Sequence, residues 1–188
     1  MRMVGRVGRS CAMPSSYLGN VPVIVRTITR LDPQRVLDVG PGYGRYGFLF
    51  RERVDEFRWE RRLDGVDAFP EYVERSRTGF LYDRFFTGDF LAVEIPEEYD
   101  LVLMIDVLEH FRDADAERAL GKALALAPAV LIATPLGYEQ GEMHGNPYEE
   151  HHSEWPAERL DALAAQRGWT WEPVAGGMGQ SVIGVLGR

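Results

Sequence analysis

Residues 36–50 read VLDVGPGYGRYGFLF. Val36–Val39 is a short apolar run, and the loop after it is rich in glycine. Beyond the loop, Tyr46, Leu49, Phe50, Val54 and Phe57 fall on one face of a helix. The unit is strand, glycine turn, helix. Its loop can be read in two registers. From Gly42, GYGRYG matches the dinucleotide fingerprint G-x-G-x-x-G. From Asp38, DVGPGYG sets an acid ahead of three glycines at alternate positions. The first register suggests a pyrophosphate over the loop, the second a ligand without phosphate.

The same alternation continues on both sides. Asn20 is placed to cap a helix in which Val21, Ile24, Val25, Ile28 and Leu31 recur at helical spacing, ended by Asp32-Pro33. Leu63–Val66 reads as a strand ending in Asp67, and Pro70–Thr78 as a helix. Leu81–Thr87 reads as a third strand, closed by Gly88-Asp89. Leu101–Ile105 is unbroken and apolar, as in a strand buried on both faces. Asp113 is placed to cap a helix with Ala119, Leu120, Ala123 and Leu124 inward, and Val130–Ala133 is a fifth strand. The pattern stops through PLGYEQGEMHGNPYEEHHSEW, a span long enough to suggest a functional loop. A helix over Ala157–Arg167 follows, then Trp169–Val174 and Ser181–Leu186, joined by Ala175–Gly179 as a hairpin at the sheet edge.

These elements predict an α/β fold. The expected form is a three-layer αβα Rossmann-like sandwich around a mostly parallel seven-stranded sheet with a C-terminal antiparallel hairpin. One domain spans 1–188. Residues 1–33 are its N-terminal segment and helix, 34–135 the cofactor-binding core, 136–155 the acceptor-site loop, and 156–188 the helix and closing hairpin. Residues up to Tyr17 and the first helix are expected to fold over the site as a lid.

Composition narrows the function classes. Apolar residues make up 45% and charged residues 27% of the 188, as in ordinary globular chains. A net charge of −8 argues against a general nucleic-acid binder. The arginines at 51, 53, 58, 61 and 62 read as a solvated helix face. No apolar run has the length of a membrane span, and no signal-peptide core precedes Met13. The single cysteine, Cys11, cannot pair internally, so a cytoplasmic location is expected. Lys122, the only lysine, lies in an alanine-rich helix, which argues against Schiff-base chemistry.

In such sheets the ligand lies beyond the carboxyl ends of the strands. Asp67 ends the second strand, where an acid accepts hydrogen bonds from a ribose diol. Asp89 ends the third beside Phe90, an aromatic suited to stack on a purine. Both features fit any adenosine cofactor. Asp38, two residues before Gly40, favours a cation near the loop over a pyrophosphate. The chain also leaves no room for the substrate domain usual in dehydrogenases.

Taken in order, VLDVGPGYG, Asp67, the GDF of 88–90 and the YDLVLMIDVLEHF of 99–111 resemble the motifs of class I S-adenosylmethionine-dependent methyltransferases. The resemblance covers residues 35–135. It implies S-adenosylmethionine as cofactor, with Asp38, Gly40, Gly42 and Gly44 around its methionine part and Pro41 stiffening the turn. It also implies Asp67 and Ala68 at the ribose, Asp89 and Phe90 at the adenine, and Asp106 at the end of the fourth strand. The acceptor is expected to be a small molecule, an O-acceptor being slightly preferred, with neither nucleic acid nor membrane as partner.

Methyl transfer from a sulfonium is an in-line displacement, so positioning supplies much of the catalysis. A hydroxyl acceptor also needs a base. Asp106, Glu109, His110 and His151 are the candidates, although DVLEH also serves structurally across this superfamily. No resident metal belongs to the expected set. Against that stands one alternative: EH followed by HHSEW resembles the metal-binding pattern of small-RNA 2′-O-methyltransferases. It implies Asp106, Glu109, His110 and His151 around a divalent ion. A third reading is a non-catalytic S-adenosylmethionine-binding module.

Overall fold

The computed structural model describes residues 17–137, 139–174 and 181–188. Most of the expected lid, with Cys11 and Met13, and the linker Ala175–Gly179 lie outside them. The strands are β1 (Arg35–Val39), β2 (Arg62–Asp67), β3 (Arg84–Thr87), β4 (Leu101–Ile105), β5 (Ala129–Pro135), β6 (Thr170–Pro173) and β7 (Ser181–Gly187). The helices are α1 (Val21–Leu31), α2 (Arg45–Arg53), α3 (Glu71–Ser76), α4 (Asp113–Leu126) and α5 (Ala157–Arg167).

The strands form one seven-stranded sheet in the order β3-β2-β1-β4-β5-β7-β6. The pairs β1–β2, β2–β3, β1–β4 and β4–β5 are parallel. β7 runs antiparallel between β5 and β6, so the hairpin closes the sheet with β6 outermost. β4 shows why the layers are three: Leu101, Leu103 and Ile105 pack with Ile24, Ile28 and Phe50 of α1 and α2. Val102 and Met104, pointing the other way, pack with Ala119, Ala123 and Leu160 of α4 and α5. Period-two side chains thus bury a continuous apolar strand on both faces.

Several local expectations give way to stronger tertiary contacts. The third strand begins at Arg84, because Gly79–Leu81 forms a 3₁₀ turn and sinks Leu81 into the core. Asp113 is the first residue of α4 and pairs with Arg159; Arg112 holds the cap position. Asn20 is buried and makes no side-chain cap bond to α1. Phe57 lies beyond α2 and is exposed. Arg51 overturns the solvated-face reading, being 0% exposed. Its guanidinium bonds to Asp55, Asp83 and the carbonyls of Leu81 and Arg61.

The chain reverses direction across the sheet between β1 and β4. That switch point opens a crevice at the strands' carboxyl ends, and Gly40, Asp67 and Asp106 follow or end the strands that border it.

Candidate functional site

A cavity of about 290 Å³ occupies this crevice. Gly40 and Gly42 form one wall, Asp67 and Ala68 the next, and Gly88, Asp89 and Phe90 the far end. Gly40, at φ 62°, donates its N–H to Val66 O at 2.8 Å. A Cβ there would lie 2.8 Å from Val107 Cγ2. The position therefore needs glycine for both its backbone angle and its packing.

Asp67 accepts the Phe69 N–H at 2.7 Å, and burial pushes its pKa up to about 6 against the pull of the Phe69 and Gly42 amides. Asp89 caps the turn that follows it, its Oδ1 accepting the Leu91 N–H at 2.8 Å. Phe90 is 4% exposed, so its ring is largely core and only part of it meets the cavity.

Asp38 lies beneath the glycine loop. It is 2% exposed and does not line the cavity; its carboxylate takes a hydrogen bond from Tyr82 Oη. Burial raises its pKa to about 7. Pro41 and Gly44 also lie off the cavity wall.

At the end of β4, Asp106 adopts φ 52°, a left-handed conformation rare for a non-glycine residue, and donates its N–H to Ala133 O. It lines the cavity together with His110. Burial depresses His110 to a pKa of about 4, with His151 adding to the effect. The His110 Nδ1 lies 3.3 Å from Glu150 O. A carbonyl only accepts, so this contact favours the tautomer with its proton on Nδ1, and the Asp106 backbone carbonyl also acts on the ring. Glu109 is 1% exposed, and burial together with neighbouring Asp106 raises its pKa well above the carboxylate range. Thr134 Oγ1 donates to its Oε2 at 3.0 Å, whereas Oε1 has no hydrogen-bond partner among the described residues. Glu109, His110 and His151 bring one ligand atom each to within 4.8 Å of one another.

The long loop carries its own structure, a bridge between Met143 and Asn146 and a 3₁₀ turn over Pro147–Glu149. His152 and Ser153 donate their N–H groups to Glu109 O, and Tyr72 Oη donates to Met143 O at 3.2 Å. The loop thus spans the cavity between β4 and α3. Asn146, Tyr148, Glu149 and His152 line the cavity from it; of the expected lid, only Tyr17 and α1 lie among the described residues, and neither lines the cavity. His151 stands behind the wall with Glu109.

Sequence reasoning missed Tyr72, Asn146 and Glu149. Only Asn146-Pro147, a turn-forming pair, hinted at the loop's course. Glu149 is buried and accepts hydrogen bonds from Gln140 and Asn146, and burial raises its pKa.

A Rossmann-like sheet with Asp67 at the end of β2 and a cavity at the switch point suits an adenosine-containing cofactor. The family of the chain says which: it is an S-adenosylmethionine-dependent class I methyltransferase. The chain belongs to a methyltransferase domain family, whose model matches residues 19–174. Comparison with curated protein sequences returned no match. Solved structures share the fold. Human N-acetylserotonin methyltransferase in complex with S-adenosylmethionine aligns at TM-score 0.67 and 17% identity, over 90% of this chain and 51% of that one. The methyltransferase domain of a bacterial Hen1 aligns at TM-score 0.66 and 16% identity, over 90% and 96%. The magnesium protoporphyrin IX methyltransferase of Synechocystis, with bound S-adenosylhomocysteine, aligns at TM-score 0.60 and 15% identity, over 90% and 82%. The chain spans about half the length of the human enzyme. Among the described residues no helix is long and apolar enough to cross a membrane.

Proposed function

We propose that the enzyme methylates a hydroxyl oxygen of a small molecule bound between His110 and the 136–155 loop. The observation that carries this reading is the place of His110 at the cavity wall. Burial lowers its pKa to about 4, which keeps the ring neutral and makes it a weak base; its part is to accept the acceptor's hydrogen bond as the methyl transfers. The acceptor oxygen attacks the methyl carbon as the carbon–sulfur bond breaks. The hydroxyl proton passes to Nε2, and S-adenosylhomocysteine leaves as the neutral thioether. Gly40, Gly42, Asp67 and Ala68 hold the cofactor's methionine and ribose, and Asp89 with Phe90 its adenine. Asp106 borders the transferring methyl. Glu149, Asn146 and Tyr148 orient the acceptor.

The cavity's charge supports a small acceptor over a polyanion. Asp67, Asp89, Asp106, Asp115 and Glu149 line it against one arginine, Arg112. Such a lining suits a sulfonium and repels phosphates.

One observation favours a second reading, a metal-assisted RNA 2′-O-methyltransferase. The unpartnered Glu109 Oε1 and the convergence of Glu109, His110 and His151 fit a divalent cation of the Mg or Mn type. Such an ion, when bound, would lower the pKa of an acceptor hydroxyl. Glu109 would then be ionised, and His110 and His151 would present neutral nitrogens to it.

The deciding experiment is an acceptor screen with labelled methyl donor, with and without a chelator, paired with Mn²⁺ titration of the purified protein. Turnover of a small hydroxyl compound that survives the chelator supports the first reading. Chelator-sensitive turnover on RNA, with stoichiometric Mn²⁺ binding lost in Glu109→Gln, replaces it with the second.

A further inference from the structure

The chain has twenty arginines and one lysine, and that lysine sits behind the adenine end of the cavity. Lys122 belongs to α4, about two turns beyond cavity-lining Asp115. Its ammonium donates to the backbone carbonyls of Phe90 and Val93. The same ammonium lies 5.1 Å from the centre of the Phe90 ring.

Those carbonyls belong to a single turn that begins at Asp89. The Ala92 and Val93 N–H groups donate to Asp89 O at 2.9 and 2.8 Å, and Leu91 N–H to the Asp89 carboxylate. The turn opens at Gly88, whose φ is 142° and whose missing Cβ makes room for Val93. The segment from the turn to β4 contains no helix or strand to hold it. A cation at the carbonyl end of a turn is favoured by the aligned peptide dipoles. It also satisfies acceptors that would otherwise lack donors.

We infer that Lys122 is a positioning residue for the methyl donor: by gripping Phe90 and Val93 it sets the Asp89–Phe90 wall against which the adenine is read. The inference rests on placing the adenine at Asp89 and Phe90. Lysine suits the task better than arginine does. A compact ammonium can donate to two converging carbonyls, whereas a planar guanidinium directs its donors in a fixed fork. The lysine's distance from the acceptor side separates its effect from chemistry. Lys122 does not line the cavity and touches no residue proposed to act on the acceptor.

The test compares the affinity of the full chain for S-adenosylhomocysteine and for S-inosylhomocysteine, in which a carbonyl replaces the adenine amino group. Wild type, Lys122→Met, Lys122→Arg and Asp89→Asn are measured by calorimetry, with melting temperature and steady-state kinetics alongside. The expected result for Lys122→Met is a roughly tenfold weaker S-adenosylhomocysteine affinity and at least a fivefold loss of adenine preference. KM for the donor should rise while kcat stays within about twofold. Lys122→Arg should lie between wild type and Lys122→Met, and it carries the same measurement should Lys122→Met not fold. A lower melting temperature with unchanged adenine preference, while Asp89→Asn loses that preference, would overturn the inference and leave the site reading intact. If Asp89→Asn also keeps the preference, the placement of the adenine fails, and the role of Lys122 fails with it.

Discussion

Tyr82 Oη donates a 2.9 Å hydrogen bond to Asp38 Oδ2, and both residues are buried beneath the glycine loop. The acid that makes the loop legible as a methyl-donor motif is therefore part of its foundation. Burial raises the Asp38 pKa to about 7 and that of Tyr82 well above its usual range, with the nearby Asp67 charge adding to both.

The raised Asp38 pKa has a definite sign in stability. The folded protein holds the Asp38 proton more tightly than the unfolded chain, where the value is 3.8. The associated stability is fully present below about pH 4 and is lost as pH rises through about 7. The rise corresponds to about 4 kcal/mol as an upper figure. Asp38→Asn keeps a neutral group opposite Tyr82. Thermal melts of the ligand-free protein from pH 5 to 8 should show a decline in wild type that is shallower in Asp38→Asn, the part that remains belonging to the raised Asp67, Glu109 and Glu149. Parallel curves would show that Asp38 does not titrate in this range.

Gly47 guards the same pair. A Cβ at Gly47 would lie 2.5 Å from Tyr82 Oη, so Gly47→Ala must displace the phenol from Asp38. Overpacking of this kind costs about 1–3 kcal/mol. Urea unfolding should show that loss despite alanine's better helix propensity. An unchanged or raised midpoint would mean that Tyr82 moves freely.

Cofactor affinity should depend on pH through Asp67, whose pKa is raised to about 6 by burial. Ribose hydroxyls donate best to an ionised carboxylate, so binding weakens as pH falls through about 6. From pH 7.5 to pH 5 the affinity for S-adenosylhomocysteine should drop about tenfold, as one pH unit below the pKa dictates. Asp67→Asn should bind about 10–100-fold more weakly at pH 7.5, with no such dependence. Calorimetry at both pH values decides, and a pH-dependent Asp67→Asn would assign the effect to another group.

The layered fold was readable because its signals are local. The apolar run of β4, the glycines after β1, the acid ending β2 and the acid just beyond β3 each follow from backbone geometry or burial over a few residues. Part of the cavity wall came with them, since Gly40, Asp67, Ala68 and Asp89 stand at or just beyond strand ends that the sheet aligns. What escaped the sequence depends on long-range contact. Glu149 and Asn146 reach the cavity only because the loop is pinned at Glu109 O and Tyr72. Asp38 is held beneath the glycine loop by Tyr82, forty-four residues on. Nothing in the spacing of the arginines distinguishes Arg51 from its exposed neighbours.

Arg51 gives the sharpest test of that last point. Its Nη1 donates to Asp55 Oδ2 at 2.9 Å and its Nη2 to Asp83 Oδ2 at 2.8 Å. Asp55 in turn accepts the N–H groups of Trp59, Glu60 and Arg61, and the guanidinium carbon lies 4.5 Å from the centre of the Trp59 ring. One buried cation thus fixes the turn from α2 into β2, including Glu56, Phe57 and Trp59, all at positive φ. Arg51→Met leaves Asp55, which is 3% exposed, without its charge partner. Removing one member of a buried pair costs about 3–5 kcal/mol. Urea unfolding at pH 7.5 should show that loss, and Arg51→Lys should recover little of it, because an ammonium cannot reach four acceptors in a plane. Cofactor affinity under native conditions should change less than threefold, since Arg51 lies off the cavity. A loss below about 1 kcal/mol would place Arg51 among ordinary surface ion pairs.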